Sequence, residues 1–167
     1  MTLAPLLAAP PLIQAHVLAA LAALLIGPLA LFRRRRDRLH RVAGYGFVVT
    51  LAATALSGLL IPSFLPVIGR FGPIHALALL ALWTLFVGVR HIHRGDRVAH
   101  AESMRSLYWQ ALGIAGLFTL IPGRTLNEAL FPAAPQAGWV AIALGLAALG
   151  WQALATRRRL RQRPRRA

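Results

Sequence analysis

Histidine is the one residue type in this sequence whose placement suggests chemistry. There are six: His16, His40, His75, His91, His93 and His100. Four of them, His16, His40, His75 and His100, fall one to each of four successive apolar segments. Neutral imidazole is a common metal ligand, and porphyrin iron takes two axial ligands from opposite faces. His16 and His75 sit near one end of their segments, His40 and His100 near the other. In an up-down-up-down bundle the first and third helices face each other diagonally, as do the second and fourth. With neighbouring axes 8–10 Å apart, that diagonal is roughly 12–14 Å, which two imidazoles and a metal between them would fill. The pattern therefore predicts two bis-histidine haem sites, His16 with His75 and His40 with His100, about 20 Å apart along the bundle.

The segments that must position these residues are read from hydropathy and punctuation. The first spans about Leu12–Phe32, following the Pro10-Pro11 pair that suits a helix start. The second is Leu39–Ile61, the third Pro73–Val89, the fourth Val98–Ile121 and the fifth Gly138–Thr156. A connection at Pro62–Gly72, with two prolines and two glycines, reads as an outer turn. Asp96 is placed to cap the fourth helix, whose first two turns are polar, and Thr125-x-x-Glu128 fits a capping box opening a short helix at Leu126–Phe131. Trp139 and Trp151 suit the aromatic belts at the two faces of a bilayer.

Composition fixes the solvent. The chain has 167 residues, of which 57% are hydrophobic and only 14% charged, whereas soluble domains carry about 25% charged residues. Several windows meet the roughly 20 apolar residues that a crossing needs. The formal net charge of +15 would suggest nucleic acid if it were spread over one face. Instead the arginines gather in three blocks, Arg33–Arg41, Arg90–Arg105 and Arg157–Arg166, leaving only Arg70 and Arg124 elsewhere. Blocks at every second gap between apolar segments are the signature of positive-inside orientation. The expected fold is an all-α membrane protein. It is an up-down bundle of five transmembrane helices, a four-helix core plus one, with N-terminus out and C-terminus in. Residues 1–156 form the bundle and 157–167 an arginine-rich, disordered inner tail. No cleavable leader is expected, because the start has no basic region.

Other chemistry finds little support. Without cysteine there are no disulfides, thiolate metal sites or covalent haem links. Apart from Glu102, in the polar first turns of the fourth, no carboxylate lies in an apolar segment, so a non-haem metal site is disfavoured. Neither a nucleophile–base pair nor a phosphate loop is present. His91 and His93 read as solvated interfacial side chains, and Glu102 with Arg105 as a structural i,i+3 pair. Arg70 and Arg124 could meet haem propionates or lipid headgroups at the outer face. The small stripes His16-Ala20-Ala23-Gly27 and His40-Gly44 leave room for a flat ring, or merely let helices approach.

Three motifs, Leu39-His40-Arg41-x-x-Gly44, His100-x-x-Ser103-Met104-Arg105 and Pro122-Gly123-Arg124-Thr125, resemble those of the bacterial membrane proteins grouped as domain-of-unknown-function family 2306. The resemblance covers about His16 to Phe131 and implies a four-helix unit without a known activity. In that family an aromatic residue often precedes the methionine of the second motif, where this chain has Ser103. A looser similarity in the site is to cytochrome b561-type diheme proteins, which also place four histidines on four helices. It implies electron transfer across the membrane.

The expected function is thus that of a small b-type cytochrome of the bacterial cytoplasmic membrane, binding one or two haem b groups. A redox partner or quinone would be its partner besides the lipid bilayer, and nucleic acid would not. The alternative is a cofactor-free accessory or structural membrane protein, or a small transporter.

Overall fold

The computed structural model describes residues 1–161, with side chains placed as far as residue 155. The elements are helical: α1 (Ala4–Leu7), α2 (Pro11–Leu31), α3 (Arg38–Leu60), α4 (Pro73–His93), α5 (Arg97–Ser106), a π-helical segment (Leu107–Leu112), α6 (Gly113–Phe118), α7 (Thr125–Leu130) and α8 (Ala137–Arg161). Among the described residues there is no strand, only a bridge between Ile68 and Phe71 in the loop before α4.

Four of these helices, α2, α3, α4 and the Ala137–Ala155 part of α8, are long and apolar enough to cross a membrane. The expected fourth crossing is built differently. Residues 97–118 form α5, the π segment and α6 in unbroken succession. The first ten residues, Arg97–Ser106, are too polar to count as apolar span. The wider turn then starts where the sequence becomes aromatic, at Leu107-Tyr108-Trp109.

Helix starts follow the local chemistry of the chain. Pro11 and Pro73 stand in the first turns of α2 and α4, where a missing N–H costs nothing. Asp37 caps α3 by accepting from the His40 backbone N–H, and Asp96 caps α5 by accepting from Ala99. The Thr125 capping box is not formed. Thr125 is already the first helical residue of α7, and the cap position falls to Arg124, which makes no side-chain capping bond. Helix α4 runs to His93, so His91 and His93 close a helix rather than float in a loop. Helix α8 continues to Arg161, so the first part of the supposedly disordered tail is helical; residues 162–167 lie outside the described ones.

The chain forms two compact units. In Leu6–Ala115, α2 packs along α3, α3 against α4, and α4 against α5 and the π segment, which in turn touches α2. This closes a ring in which α2 and α4, and α3 and α5, are diagonal. Its core is Ala23, Phe47, Leu51, Ala81, Leu85, Met104, Leu107 and Leu112. The hydroxyls of Thr50, Thr54 and Ser57 in α3 are satisfied within that helix, each donating to the carbonyl four residues back. The outer faces are apolar, with Leu18, Leu25, Val49 and Trp83 all more than 60% exposed. Such a surface belongs against lipid rather than water.

The other unit comprises Met1–Pro5 and residues from Gly116 onward. There the fully buried Asn127 donates from Nδ2 to the carbonyls of Leu120 and Pro135, at 2.8 and 2.9 Å, and holds the turns either side of α7. The Thr2 N–H reaches the Ala129 carbonyl at 2.8 Å.

Candidate functional site: a two-histidine cavity at the arginine-rich end

His16, His40, His75 and His100 all lie in the Leu6–Ala115 unit, and the hydrogen bonds of each ring decide what it can do. His40 stands in the first turn of α3 and reaches back to the end of α2. Its Nδ1 lies 3.0 Å from the Ala30 carbonyl, one of the carbonyls left over where a helix ends. His100 repeats the arrangement one hairpin later, with Nδ1 2.8 Å from the Gly88 carbonyl of α4. A carbonyl only accepts, so in its neutral form each ring carries its proton on Nδ1 and its lone pair on Nε2. Metal-binding histidines are oriented in the same way, by a carbonyl or carboxylate on the far nitrogen.

Gly88 explains how α5 comes close enough. A Cβ there would run into Met104 and Ser103. Without one, the α4 backbone stands within reach of the His100 ring.

Both rings line one cavity of about 310 Å³. This volume is at the lower end for small-molecule pockets, so a porphyrin held between the rings would extend past it. The walls are apolar, with Phe47, Val48, Val89 and Met104 among them, and a Cβ on Gly44 would meet nothing within 4 Å. Arg36, Arg41 and Arg105 line the cavity too, and so does His93, which sequence reasoning had set aside. Its position at the end of α4, one turn past Val89 on the same face, was the available signal.

Next to this cavity the carboxylate of Asp37 pairs with the guanidinium of Arg33 and accepts the His40 N–H. The Arg33 bond first, and the His40 N–H second, hold this carboxyl well below the usual range. Arg33 is correspondingly held up, by the Asp37 bond.

The opposite end is built otherwise. The His16 Nδ1 is 2.9 Å from Ser57 Oγ, whose own proton goes to backbone carbonyls of α3, so His16 is the donor. A Cβ on Gly58 would stand 3.3 Å from the His16 ring, showing how closely it lies on α3. His75 is only 3% exposed and faces Phe71 edge-on at 4.9 Å. Its Nδ1 accepts the Gly72 N–H at 3.3 Å, as the third residue of a capping box does. The proton of a neutral His75 is therefore on Nε2, which is buried with no hydrogen-bond partner. His75 thus offers a donor where a metal needs a lone pair.

Arg70 donates to the Leu60 carbonyl at the end of α3 and so ties down the 62–72 loop. Arg124 lies in the other unit, half-buried at the start of α7, where burial alone lowers its pKa. Among the described residues no group of three or more His, Asp or Glu side chains could hold a metal ion.

A family profile described as predicted membrane protein (DUF2306) matches residues 13–149, most of the chain, and the chain belongs to that family. The match reaches beyond Phe131 and takes in much of α8. No curated protein and no solved structure matched the chain.

Proposed function

We propose that this member of the family of predicted membrane proteins is a multi-pass b-type cytochrome whose single haem is held by His40 and His100. The observation that carries the reading is the paired geometry of the two rings. Each sits at a helix start, each donates Nδ1–H to a carbonyl of the preceding helix, and each lines the same cavity. Haem bound there supplies reversible one-electron chemistry. The chain orients both imidazoles; apolar side chains would cover the part of the porphyrin that the cavity admits, and Arg36, Arg41 and Arg105 would stand beside it.

Five crossings complete the proposal, with α5, the π segment and α6 together forming the fourth. The three arginine blocks then lie on the cytoplasmic side of a bacterial inner membrane, and His40 and His100 are the inner pair. A redox protein or a quinone would exchange the electron. The outer pair does not enter the proposal as a second haem site, because His75 would first have to release the Gly72 N–H. Arg70 and Arg124 are left without a cofactor role.

A cofactor-free reading has one observation in its favour: apolar walls with an arginine rim also suit an anionic lipid. Transport has less, since the hydroxyls of α3 are turned onto their own helix and offer no polar path.

Purified protein from haem-replete cells should show a Soret band and a dithionite-sensitive α band at one haem per chain. His40→Ala and His100→Ala should each abolish them, and His75→Ala should not. A colourless wild-type preparation, or one that keeps its spectrum in both inner variants, overturns the reading.

A further inference from the structure

Pro28 stands inside α2. Proline has no N–H, so the Leu24 carbonyl one turn earlier is without its helical donor. Within a bilayer core no water can satisfy such a carbonyl, and leaving it unpaired is costly. The π segment supplies a donor: the Tyr108 hydroxyl reaches the Leu24 carbonyl at 3.2 Å. Gly27, next to the proline, admits the Tyr108 ring, since a Cβ there would come within 2.7 Å of it. The following residue, Trp109, meets Phe32 just past the helix end, with ring centroids 6.3 Å apart. Phe32 in turn donates its N–H to the Pro28 carbonyl at 3.0 Å. Two adjacent aromatic residues thus hold α2 on both sides of its proline. A π turn rotates less per residue than an α turn, so sequence neighbours face more nearly the same way.

Between these two contacts lies the Ala30 carbonyl, which receives Nδ1–H of His40. We propose that the π segment is a clamp across the Pro28 gap, with Tyr108 a positioning residue for the His40 ring that acts through the Ala30 carbonyl. Without the Tyr108 bond the Leu24 carbonyl needs another partner. Helix α2 then shifts at its weak point, the proline, and the Ala30 carbonyl moves relative to His40. His100 lacks this dependence, because its Gly88 carbonyl belongs to α4, which has no proline beyond its first turn. The bearing of the clamp on function rests on His40 acting as a haem ligand, whereas the ring itself can be followed with no ligand bound.

The test follows exchange of the His40 ring N–H with solvent, by heteronuclear NMR of the haem-free, full-length chain in detergent. His40→Gln assigns the signal. Tyr108→Phe keeps the ring and removes the donor, and should speed this exchange roughly tenfold, the worth of about one hydrogen bond. The His100 signal should stay as in wild type. Pro28→Ala restores a helical N–H to Leu24, so adding it to Tyr108→Phe should return His40 to wild-type exchange. A wild-type His40 without a protected Nδ1–H, no change in Tyr108→Phe, an equal change at His100, or failure of the rescue overturns the proposal and leaves the haem reading intact. If Tyr108→Phe alone does not fold, the double variant decides: wild-type exchange at His40 supports the clamp, and a chain that still fails to fold overturns it. A colourless wild type overturns the haem reading and leaves the clamp standing.

Discussion

At the scale of the residue, the protein turns on which nitrogen of each imidazole is already engaged. His16, His40 and His100 commit Nδ1 as a donor, whereas His75 commits it as an acceptor. Four histidines that look equivalent along the chain therefore separate into different chemical types. Asp37 belongs to the same scale, because its carboxylate accepts the backbone N–H of His40 and thereby fixes the ring's starting point. Its pKa in the fold is depressed below the unfolded value. The stability it contributes is therefore present above the ordinary carboxylate range near pH 4 and is lost as pH falls through the lower folded value. Asp37→Asn should retain the cap but lose the ion pair with Arg33. Thermal melts between pH 7 and pH 3 should show a smaller acid-dependent loss in this variant than in wild type. Identical pH profiles would remove Asp37 from the account.

At the scale of the element, close approaches set the register of the helices. Gly27 of α2 lies beneath Tyr108 of the π segment: a Cβ there would come within 2.7 Å of the ring. The Tyr108 hydroxyl reaches the Leu24 carbonyl at 3.2 Å, and its ring meets Phe47 at 6.3 Å and Trp109 at 5.2 Å. Phe47 also lines the cavity, so the π segment is packed onto a wall of the site. Gly27→Val should cost about 1–3 kcal/mol through overpacking, read as a lowered melting temperature in detergent. A melt unchanged from wild type would show that Tyr108 simply moves aside. Helix positions were legible from sequence to within a few residues, since proline, aspartate and apolar runs act locally. The π segment was not legible. It reflects how Tyr108 and Trp109 are accommodated against α2 and α3, and no periodicity along the chain records that.

At the scale of the whole molecule, the charge pattern and the apolar exterior define a membrane protein. Exposed side chains such as Leu25, Tyr45 and Trp151, each above 70% exposed, have no place in water. The proposed orientation makes the outer loop 62–72 accessible from the periplasm and the arginine blocks accessible from the cytoplasm. A reporter active only in the periplasm should therefore work when inserted at Val67 and fail when fused after Ala167. The reverse result would invert the topology and place the His40–His100 cavity on the outer side.

The sequence by itself determined the solvent, the helices and the family, along with a set of six histidines from which a site could be drawn. These follow from hydropathy and capping, which depend on neighbours within a turn or two. Tertiary structure alone decided which ring nitrogen of each histidine is already engaged. The deciding partners are the Ala30 carbonyl ten residues before His40 and the Gly88 carbonyl twelve residues before His100. Such carbonyls become partners only when a hairpin folds back and two helices close to contact. The same closure brings His93 and Arg36 to the cavity, and it leaves His75 capping its own helix. A histidine's place in the chain says that a ring is available, whereas the backbone packed against it says which face of that ring can bind.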